Sequence, residues 1–308
     1  MIKKIELSKT GLMIPQVALG CMRICDLSRK DCETLIATAL ENGINFFDHA
    51  DIYADGQAET FFSEAIGMND DVREKIILQS KCGFHLGKMY DCSKSHILAS
   101  VDRSLKRLKT DYLDIFLLHR PDALVEPEEV AEALAELQQS GKVKYIGVSN
   151  HNPYQIELLQ KYCKDKLVVN QMQFSITESG MVDAGLNVNM KNDAAVVRDG
   201  GVLDYCRLHD ITMQAWSPFQ YGFFEGVFLG NYEKFGPLNN VLDRLAEEKN
   251  VNPSALAVAW IARHPAHIQT IVGTTNAGRL RQICQCASVE LSRDEWYEIY
   301  LASGKKLP

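Results

Sequence analysis

The feature that most constrains this chain is a regular alternation, from end to end, of short apolar runs with segments of helical periodicity. Eight apolar runs of four to six residues are each followed by a stretch whose apolar residues recur at helical spacing. Short buried strands joined by crossover helices favour a parallel sheet, and seven crossovers plus a final helix close most simply as a barrel. We therefore predict an α/β fold, a (β/α)8 TIM barrel formed as a single domain over residues 1–308.

The predicted elements can be placed along the chain. The strands lie at about 16–19, 44–48, 76–80, 113–118, 143–148, 167–171, 211–215 and 269–272. The helices lie at about 29–42, 58–67, 94–109, 127–140, 153–163, 199–208, 253–263 and 276–285. An N-terminal β-hairpin (KKIEL, then LMI) is expected to close the barrel bottom, and the long stretches 172–198 and 216–238 are expected to be site-forming loops at the C-terminal face. A doubly wound dinucleotide-binding sheet would need a Gly-x-Gly-x-x-Gly turn, which is missing.

Charge and cysteine usage exclude several classes of protein. Lys plus Arg total 33 against 40 for Asp plus Glu, so the net charge of −7 argues against nucleic acid as a partner. No run of about 18 apolar residues and no signal-peptide pattern is present, so we expect a cytoplasmic protein without a membrane partner. The nine cysteines are scattered and contain no Cys-x-x-Cys pair, which favours reduced thiols over disulfides or a zinc ribbon.

Polar side chains stand where the apolar strands end, which is where a barrel gathers its chemistry. Asp48 ends NFFD with Tyr53 in the loop after it, Lys81 ends IILQSK, and His119 ends IFLLH. A Lys ammonium beside a Tyr hydroxyl lowers the pKa of the phenol, and a carboxylate fixes the Lys, so the set can perform acid–base chemistry. The alternative is that these are ordinary interior polar residues, with Asp48 and Lys81 forming a structural ion pair.

Several longer segments match a known family. They are GLMIPQVALGCM, GINFFDHADIY, Ser80-Lys81, DYLDIFLLHRPD, GKVKYIGVSN, VVNQMQFS, AWSPF and IVGTTNAGRLRQ. On these motifs the chain resembles the aldo-keto reductases over essentially its whole length, in the branch with a His-Arg-Pro-Asp motif. The resemblance implies a catalytic tetrad in which Tyr53 is the general acid, Lys81 and Asp48 tune it, and His119 orients or polarises the substrate.

The resemblance also implies a site for NADPH, with NADH as the less favoured cofactor. In that site Trp216 offers a flat face to the nicotinamide, and Arg279 faces the 2′-phosphate unless it is merely an exposed helix charge. The implied cofactor residues are Cys21, Met22, Ser149, Asn150, Gln171, Trp216, Ser217, Pro218, Phe219, Gly273, Thr274, Thr275, Arg279 and Gln282.

The function expected from the resemblance is reversible, metal-free reduction of a small-molecule aldehyde or ketone. Met22, Phe84, Tyr90 and the 219–235 loop are expected to line an apolar or aromatic pocket with Trp216, and Arg120 is expected to be either structural or substrate-facing. One alternative is a regulatory subunit that senses NADPH, as in the potassium-channel β-subunits that resemble this family. Another is a metal hydrolase, whose ligands would come from His49, Asp51, His85 and His119. No oligomeric state is predicted.

Overall fold

The eight predicted strands form one closed, all-parallel barrel in a computed structural model that describes residues 1–308. The barrel strands are β1 (Val17–Gly20), β2 (Phe46–Asp48), β3 (Ile77–Cys82), β4 (Leu113–Leu118), β5 (Val143–Ser149), β6 (Leu167–Gln173), β7 (Thr212–Trp216) and β8 (Gln269–Val272). Each strand pairs with its neighbours in chain order, and β8 returns to β1. The predicted (β/α)8 architecture is therefore confirmed.

Twelve α-helices accompany the barrel. They are α1 (Arg29–Glu41), α2 (Gln57–Ala65), α3 (Asp70–Arg73), α4 (Lys94–Leu108), α5 (Pro127–Gln139), α6 (Pro153–Gln160), α7 (Gly180–Leu186), α8 (Val202–Leu208), α9 (Tyr232–Lys249), α10 (Pro253–Ala262), α11 (Ala277–Cys284) and α12 (Arg293–Ala302). Ser28 and Ser93 cap α1 and α4 by accepting a backbone N–H in the first turn, which sets where these helices begin. No helix combines the length and the apolar character needed to span a lipid bilayer.

Four of these helices, α3, α7, α9 and α12, were not predicted. Helix α9 begins at Tyr232, inside the stretch 216–238 that was expected to be loop throughout, so that expectation was wrong at its end. The chain bends at Phe235, where φ is −127°, and Pro237 follows in the first turn beyond the bend, where its missing N–H costs little. The stretch 172–198 likewise contains α7 and a 3₁₀ turn at Asp193–Ala195.

Helix α12 is docked by a pair of tryptophans. Trp296 stacks on Trp260 of α10 with ring centroids 4.7 Å apart and an interplanar angle of 8°. Each indole N–H also donates to the backbone carbonyl of the other tryptophan, at 3.1 and 3.0 Å. Both indoles are thus buried with their one polar group satisfied, which fixes α12 on the outer face of the barrel.

The N-terminal hairpin closes the barrel bottom as predicted. Its strands are Lys4–Glu6 and Met13–Pro15, paired antiparallel. Leu7 and Ile14 are fully buried and pack with Phe46, Ile77 and Ile115 in an apolar cluster inside the barrel. The floor of the barrel is therefore a packed plug, which leaves the C-terminal face for chemistry.

Above this plug lies a layer of buried glutamines, one each from β3, β6, β7 and β8. Gln214 exchanges hydrogen bonds with Gln79 and accepts one from Gln171 at 2.9 Å. It donates in turn to Gln269 at 2.8 Å, and Gln269 donates to the Pro15 carbonyl of the hairpin at 2.7 Å. These amides are 0–3% exposed, and they connect the barrel floor to the side chains at its mouth.

Candidate active site

Lys81 is the centre of the cluster at the barrel mouth. Its side chain is fully buried, and Nζ lies 2.8 Å from the Asp48 carboxylate and 2.7 Å from the His49 carbonyl oxygen. The third contact of Nζ is the Tyr53 hydroxyl oxygen at 3.2 Å. The ammonium thus has three acceptors for its three N–H donors, which is what a buried charge requires.

The Asp48 carboxylate is held from the opposite side by the glutamine layer. Gln79 Nε2 donates to Oδ1 of Asp48 at 2.6 Å, and Gln171 Nε2 donates to the same oxygen at 3.2 Å. Sequence reasoning missed Gln79 and Gln214. The period-two spacing in IILQSK could have revealed the first, because residues two apart in a strand share a face and Gln79 therefore points inward with Lys81.

Tyr53 lies on a 3₁₀ turn, Tyr53–Gly56, that follows β2. Ala54 and Asp55 in this turn have φ of 47° and 54°, a left-handed conformation that non-glycine residues seldom adopt. The turn brings the hydroxyl back to Lys81, and the Tyr53 ring meets His119 edge-on with centroids 6.0 Å apart. The structure therefore brings Asp48, Tyr53, Lys81 and His119 together at the barrel mouth.

The pKa values of these groups follow from burial and charge. Burial alone would lower the pKa of Lys81, but Asp48 and Tyr53 outweigh it and the pKa is raised. The pKa of Tyr53 is also raised, because burial outweighs the attraction of the phenolate to Lys81. Lys81 does lower the pKa of the phenol as expected, but burial and the Asp48 charge outweigh it, so the net shift is upward and Tyr53 is held as the protonated phenol.

His119 is placed at the end of β4, where its backbone N–H donates to the Cys82 carbonyl at 2.8 Å. Burial, with Lys81 and Arg120 nearby, keeps the pKa of its ring well below the usual value. Nδ1 is buried and has no hydrogen-bond partner, whereas Nε2 is not one of the buried, unpaired atoms. A neutral ring of this kind is suited to hydrogen-bond a carbonyl oxygen rather than to carry the proton.

The residues expected to hold the nicotinamide lie next to this cluster and already bind one another. Asn150, in the left-handed region at φ 59°, donates to Ser149 Oγ at 2.8 Å and accepts from the Trp216 indole at 3.1 Å. Ser149 Oγ donates to the Gln171 carbonyl at 2.8 Å. The Oε1 of Gln171 accepts no hydrogen bond from the protein and is not sealed from solvent, so it is free for a ligand amide.

Trp216 is half-buried, and loop aromatics approach its ring. Phe224 stacks near-parallel to it at 6.0 Å, and Phe223 lies edge-on at 6.3 Å. Both phenylalanines come from the turn of a small hairpin, Gln220–Tyr221 with Gly226–Val227, and they are 66% (Phe223) and 49% (Phe224) exposed. On the other side of the mouth Phe84 meets His119 and Tyr90 edge-on, at 4.9 and 5.0 Å.

The predicted phosphate-binding residues stand at the start of α11. Asn276 caps this helix by accepting the Arg279 N–H at 2.9 Å. The Arg279 side chain is exposed and forms no hydrogen bond or salt bridge, whereas Arg281 donates to Thr38 Oγ1 of α1 at 3.1 Å. Arg23, which sequence reasoning missed, donates to the Gly273 carbonyl at 2.6 Å. A second guanidinium therefore lies beside this end of the mouth.

The remaining predicted cofactor residues follow the carboxyl ends of β1, β7 and β8. Cys21 is fully buried: its thiol faces the Leu19 carbonyl, and its backbone N–H donates to the Asp48 carbonyl at 2.9 Å. Met22 beside it is exposed. The others line the start of the loop after β7 or the region around α11: Ser217, Pro218, Phe219, Thr274, Thr275 and Gln282.

The metal-hydrolase alternative required ligand atoms that the structure does not bring together. The His49 ring is fully buried, has no hydrogen-bond partner and packs on Phe62 at 4.7 Å. Of the proposed ligands only His85 belongs to a converging group, and its companions are Asp91 and His96. In that group Asp91 accepts from His85 at 3.0 Å, in the hairpin after β3.

The chain is similar to known proteins in both sequence and fold. The model of the aldo/keto reductase family matches residues 16–302. The chain is 36% identical to the uncharacterized oxidoreductase YcsN of Bacillus subtilis, over all of both chains. It is 34% identical to the 6-dehydroglucose reductase of Agrobacterium fabrum, over 96% of this chain and 97% of that one.

A third relative and a solved structure agree with these. The oxidoreductase YdhF of Escherichia coli is 31% identical over 98% of each chain. The fold superimposes on the thermostable aldo-keto reductase Tm1743, crystallised with the inhibitor epalrestat, with a TM-score of 0.78 and 25% identity. That alignment covers 98% of this chain and 100% of the other.

Proposed function

The chain belongs to the aldo/keto reductase family, and from this membership and the geometry of its barrel mouth we propose that it reduces an aldehyde or ketone with NADPH, using Tyr53 as proton donor. It is an NAD(P)H-dependent oxidoreductase that acts on small-molecule carbonyl compounds. The single observation that carries the proposal is the Tyr53 hydroxyl, which sits 3.2 Å from a fully buried Lys81 that is itself paired with Asp48.

The residues present fit a dinucleotide cofactor. Gln171 Oε1 is an unused acceptor suited to a carboxamide N–H, and Trp216 supplies an aromatic surface beside it. At the other end, Arg279 has no side-chain partner at a helix N-terminus, where backbone N–H groups and a guanidinium both favour a phosphate. Together these support NADPH over NADH.

The chain's own groups account for the proton and for the position of the substrate. The bound cofactor supplies a hydride to the carbonyl carbon. The Tyr53 hydroxyl donates its proton to the carbonyl oxygen, which becomes the alcohol, and the resulting phenolate is stabilised by the Lys81 ammonium. His119, neutral and beside Tyr53, hydrogen-bonds the same oxygen through Nε2 and orients the carbonyl.

Turnover is tested with Tyr53→Phe, which keeps the ring and removes only the hydroxyl. We expect kcat to fall roughly 10²- to 10⁴-fold with a panel of aldehydes, because proton donation is lost, while cofactor affinity changes little. Wild-type turnover in this variant would refute the role of Tyr53. Binding of NADPH without turnover by the wild type across the panel would instead support the regulatory-subunit alternative.

Cofactor preference is tested with a matched pair of arginine variants. Arg279→Met should weaken NADPH binding roughly tenfold or more and leave NADH binding almost unchanged, measured by quenching of tryptophan fluorescence. Arg281→Met is the control, because Arg281 is already bound to Thr38 of α1. Equal losses for both cofactors in Arg279→Met, or equal effects in the two variants, would contradict the phosphate contact.

A further inference from the structure

Arg120, the residue after His119, is a half-buried charge with no counter-ion. Its guanidinium lies 5.9 Å from the Trp216 ring and 5.9 Å from the Phe223 ring. Its side chain takes part in no hydrogen bond or salt bridge with the protein. Placing a cation partly out of water without an acceptor is costly, so the arrangement calls for a partner that the chain itself does not supply.

Two acids of the loops around the mouth, Asp122 and Asp91, are occupied elsewhere. Asp122, two residues on, accepts the Cys92 N–H with one carboxylate oxygen and the Leu124 N–H with the other, both at 2.9 Å. Asp91 is bound to His85 at 3.0 Å and to the Ser93 N–H at 3.0 Å. These carboxylates serve the loops around the mouth, and neither pairs with Arg120.

The buried Arg73 and the half-buried Arg107 show how other arginines of this chain that are shielded from water are neutralised. Arg73 pairs with the buried Asp114 at 2.7 Å, and Arg107 pairs with the fully buried Glu59 at 2.7 Å. Each is a close pair of opposite charges. Arg120 differs from both because its guanidinium has no acidic partner.

The position of Arg120 points to the substrate. It follows directly on His119, whose ring contacts Tyr53 and Phe84, and it lies under the aromatic turn that contains Phe223. Aromatic rings flanking a guanidinium stabilise the cation through their faces, yet they leave its N–H donors free for a planar anion. A carboxylate matches that fork with two parallel hydrogen bonds.

We propose that Arg120 forms an anion-binding subsite and that the preferred substrates are aldehydes or ketones that also carry a carboxylate or a similar anionic group. The proposal rests on the reductase function proposed above. The carbonyl oxygen would lie between Tyr53 and His119 while the anionic end pairs with Arg120 under Phe223. Of the two roles expected for Arg120 from the sequence, this is the substrate-facing one, and it adds an anionic group to the apolar or aromatic pocket.

The experiment compares substrates that differ only in charge. The pairs are 4-carboxybenzaldehyde with its methyl ester, and 4-oxobutanoate with its methyl ester. The quantity measured is the ratio of kcat/KM for acid over ester within one protein, so that general effects on turnover cancel. We expect the wild type to prefer the acid and Arg120→Met to reduce the ratio roughly 10- to 100-fold, with Arg120→Lys between them.

Arg198→Met is the matched control, because it removes the same charge from an exposed ion pair in the loop after β6. Its ratio should equal that of the wild type. An unchanged ratio in Arg120→Met, or the same fall in Arg198→Met, overturns the subsite. A loss of NADPH affinity in Arg120→Met with an unchanged ratio also overturns it, since Arg120 would then serve the cofactor. If the wild type reduces no carbonyl compound at all, it is the proposed function that fails.

Discussion

Replacing Lys81 by Met tests whether the buried ion pair is structural as well as catalytic. Lys81 Nζ and the Asp48 carboxylate are 2.8 Å apart, and neither side chain is more than 3% exposed. With an effective dielectric constant of about 20, that separation gives an attraction of about 6 kcal/mol. Desolvation of the two charges offsets most of this in the intact protein, so the pair itself contributes little net stability.

The cost of breaking the pair is different, because Lys81→Met leaves the Asp48 charge buried and uncompensated. We expect a loss of about 3–5 kcal/mol in the free energy of unfolding. For a chain of this size that corresponds to a fall in Tm of roughly 5–8 °C. The double variant Asp48→Asn with Lys81→Met removes both charges, and the amide introduced in place of Asp48 would keep an oxygen for Gln79 and Gln171. It should recover all but about 1 kcal/mol of the stability and none of the turnover.

The assay is urea unfolding of the four members of the double-mutant cycle, followed by intrinsic fluorescence, with kcat/KM measured on the same preparations. A loss below about 1 kcal/mol in Lys81→Met would show that the Asp48 charge is not buried as described. A double variant that is less stable than Lys81→Met would show that the two residues do not act as a pair.

Two further predictions concern protonation. The general acid must be protonated, and the pKa of Tyr53 is raised. We therefore expect kcat/KM for carbonyl reduction to stay level up to a pH of about 9 and to fall only above it. A pH–rate profile whose fall is centred near neutrality would contradict this. Burial lowers the pKa of His49 to about 3 from its usual 6.5, so the unfolded chain binds the extra proton first and stability is lost as pH falls below 6.5. His49→Phe should therefore lose about 3 kcal/mol less than the wild type between pH 7 and pH 4, measured by urea unfolding at both values. Equal acid losses in the two proteins would mean that His49 is not buried as a neutral ring.

Sequence reasoning predicted the barrel well because its signals are local. Each barrel strand is a short apolar run, and each predicted helix has periodic apolar residues, so position along the chain determines the element. Helix α9 escaped prediction because Gly236 and Pro237 are typical helix breakers, and tertiary packing overrides that tendency here. Helix α12 could have been found, since Ser292 and Glu295 form a capping box at its start.

The candidate site was predictable in membership but not in detail. The strand ends placed Asp48, Lys81 and His119 at one mouth because parallel strands align their carboxyl ends. Which polar groups hydrogen-bond to each other depends on side-chain geometry across the barrel. The sequence therefore could not show that Oε1 of Gln171 accepts no hydrogen bond from the protein. The sequence also could not show that Arg120 lacks an acidic partner, because this depends on the Asp122 carboxylate accepting the backbone N–H groups of Cys92 and Leu124 instead.

The hydrogen bonds of the glutamine layer fix the orientation of each amide in it. The Asp48 carboxylate at one end and the Pro15 carbonyl at the other can only accept hydrogen bonds. Gln79 must therefore direct an N–H toward Asp48, and Gln269 must direct an N–H toward Pro15. Turning over Gln79 or Gln269 would set oxygen against oxygen in a sealed interior, and Gln214 would have to follow. The hairpin that closes the bottom of the barrel and the carboxylate at its mouth are therefore joined by a chain of amides with one permitted orientation.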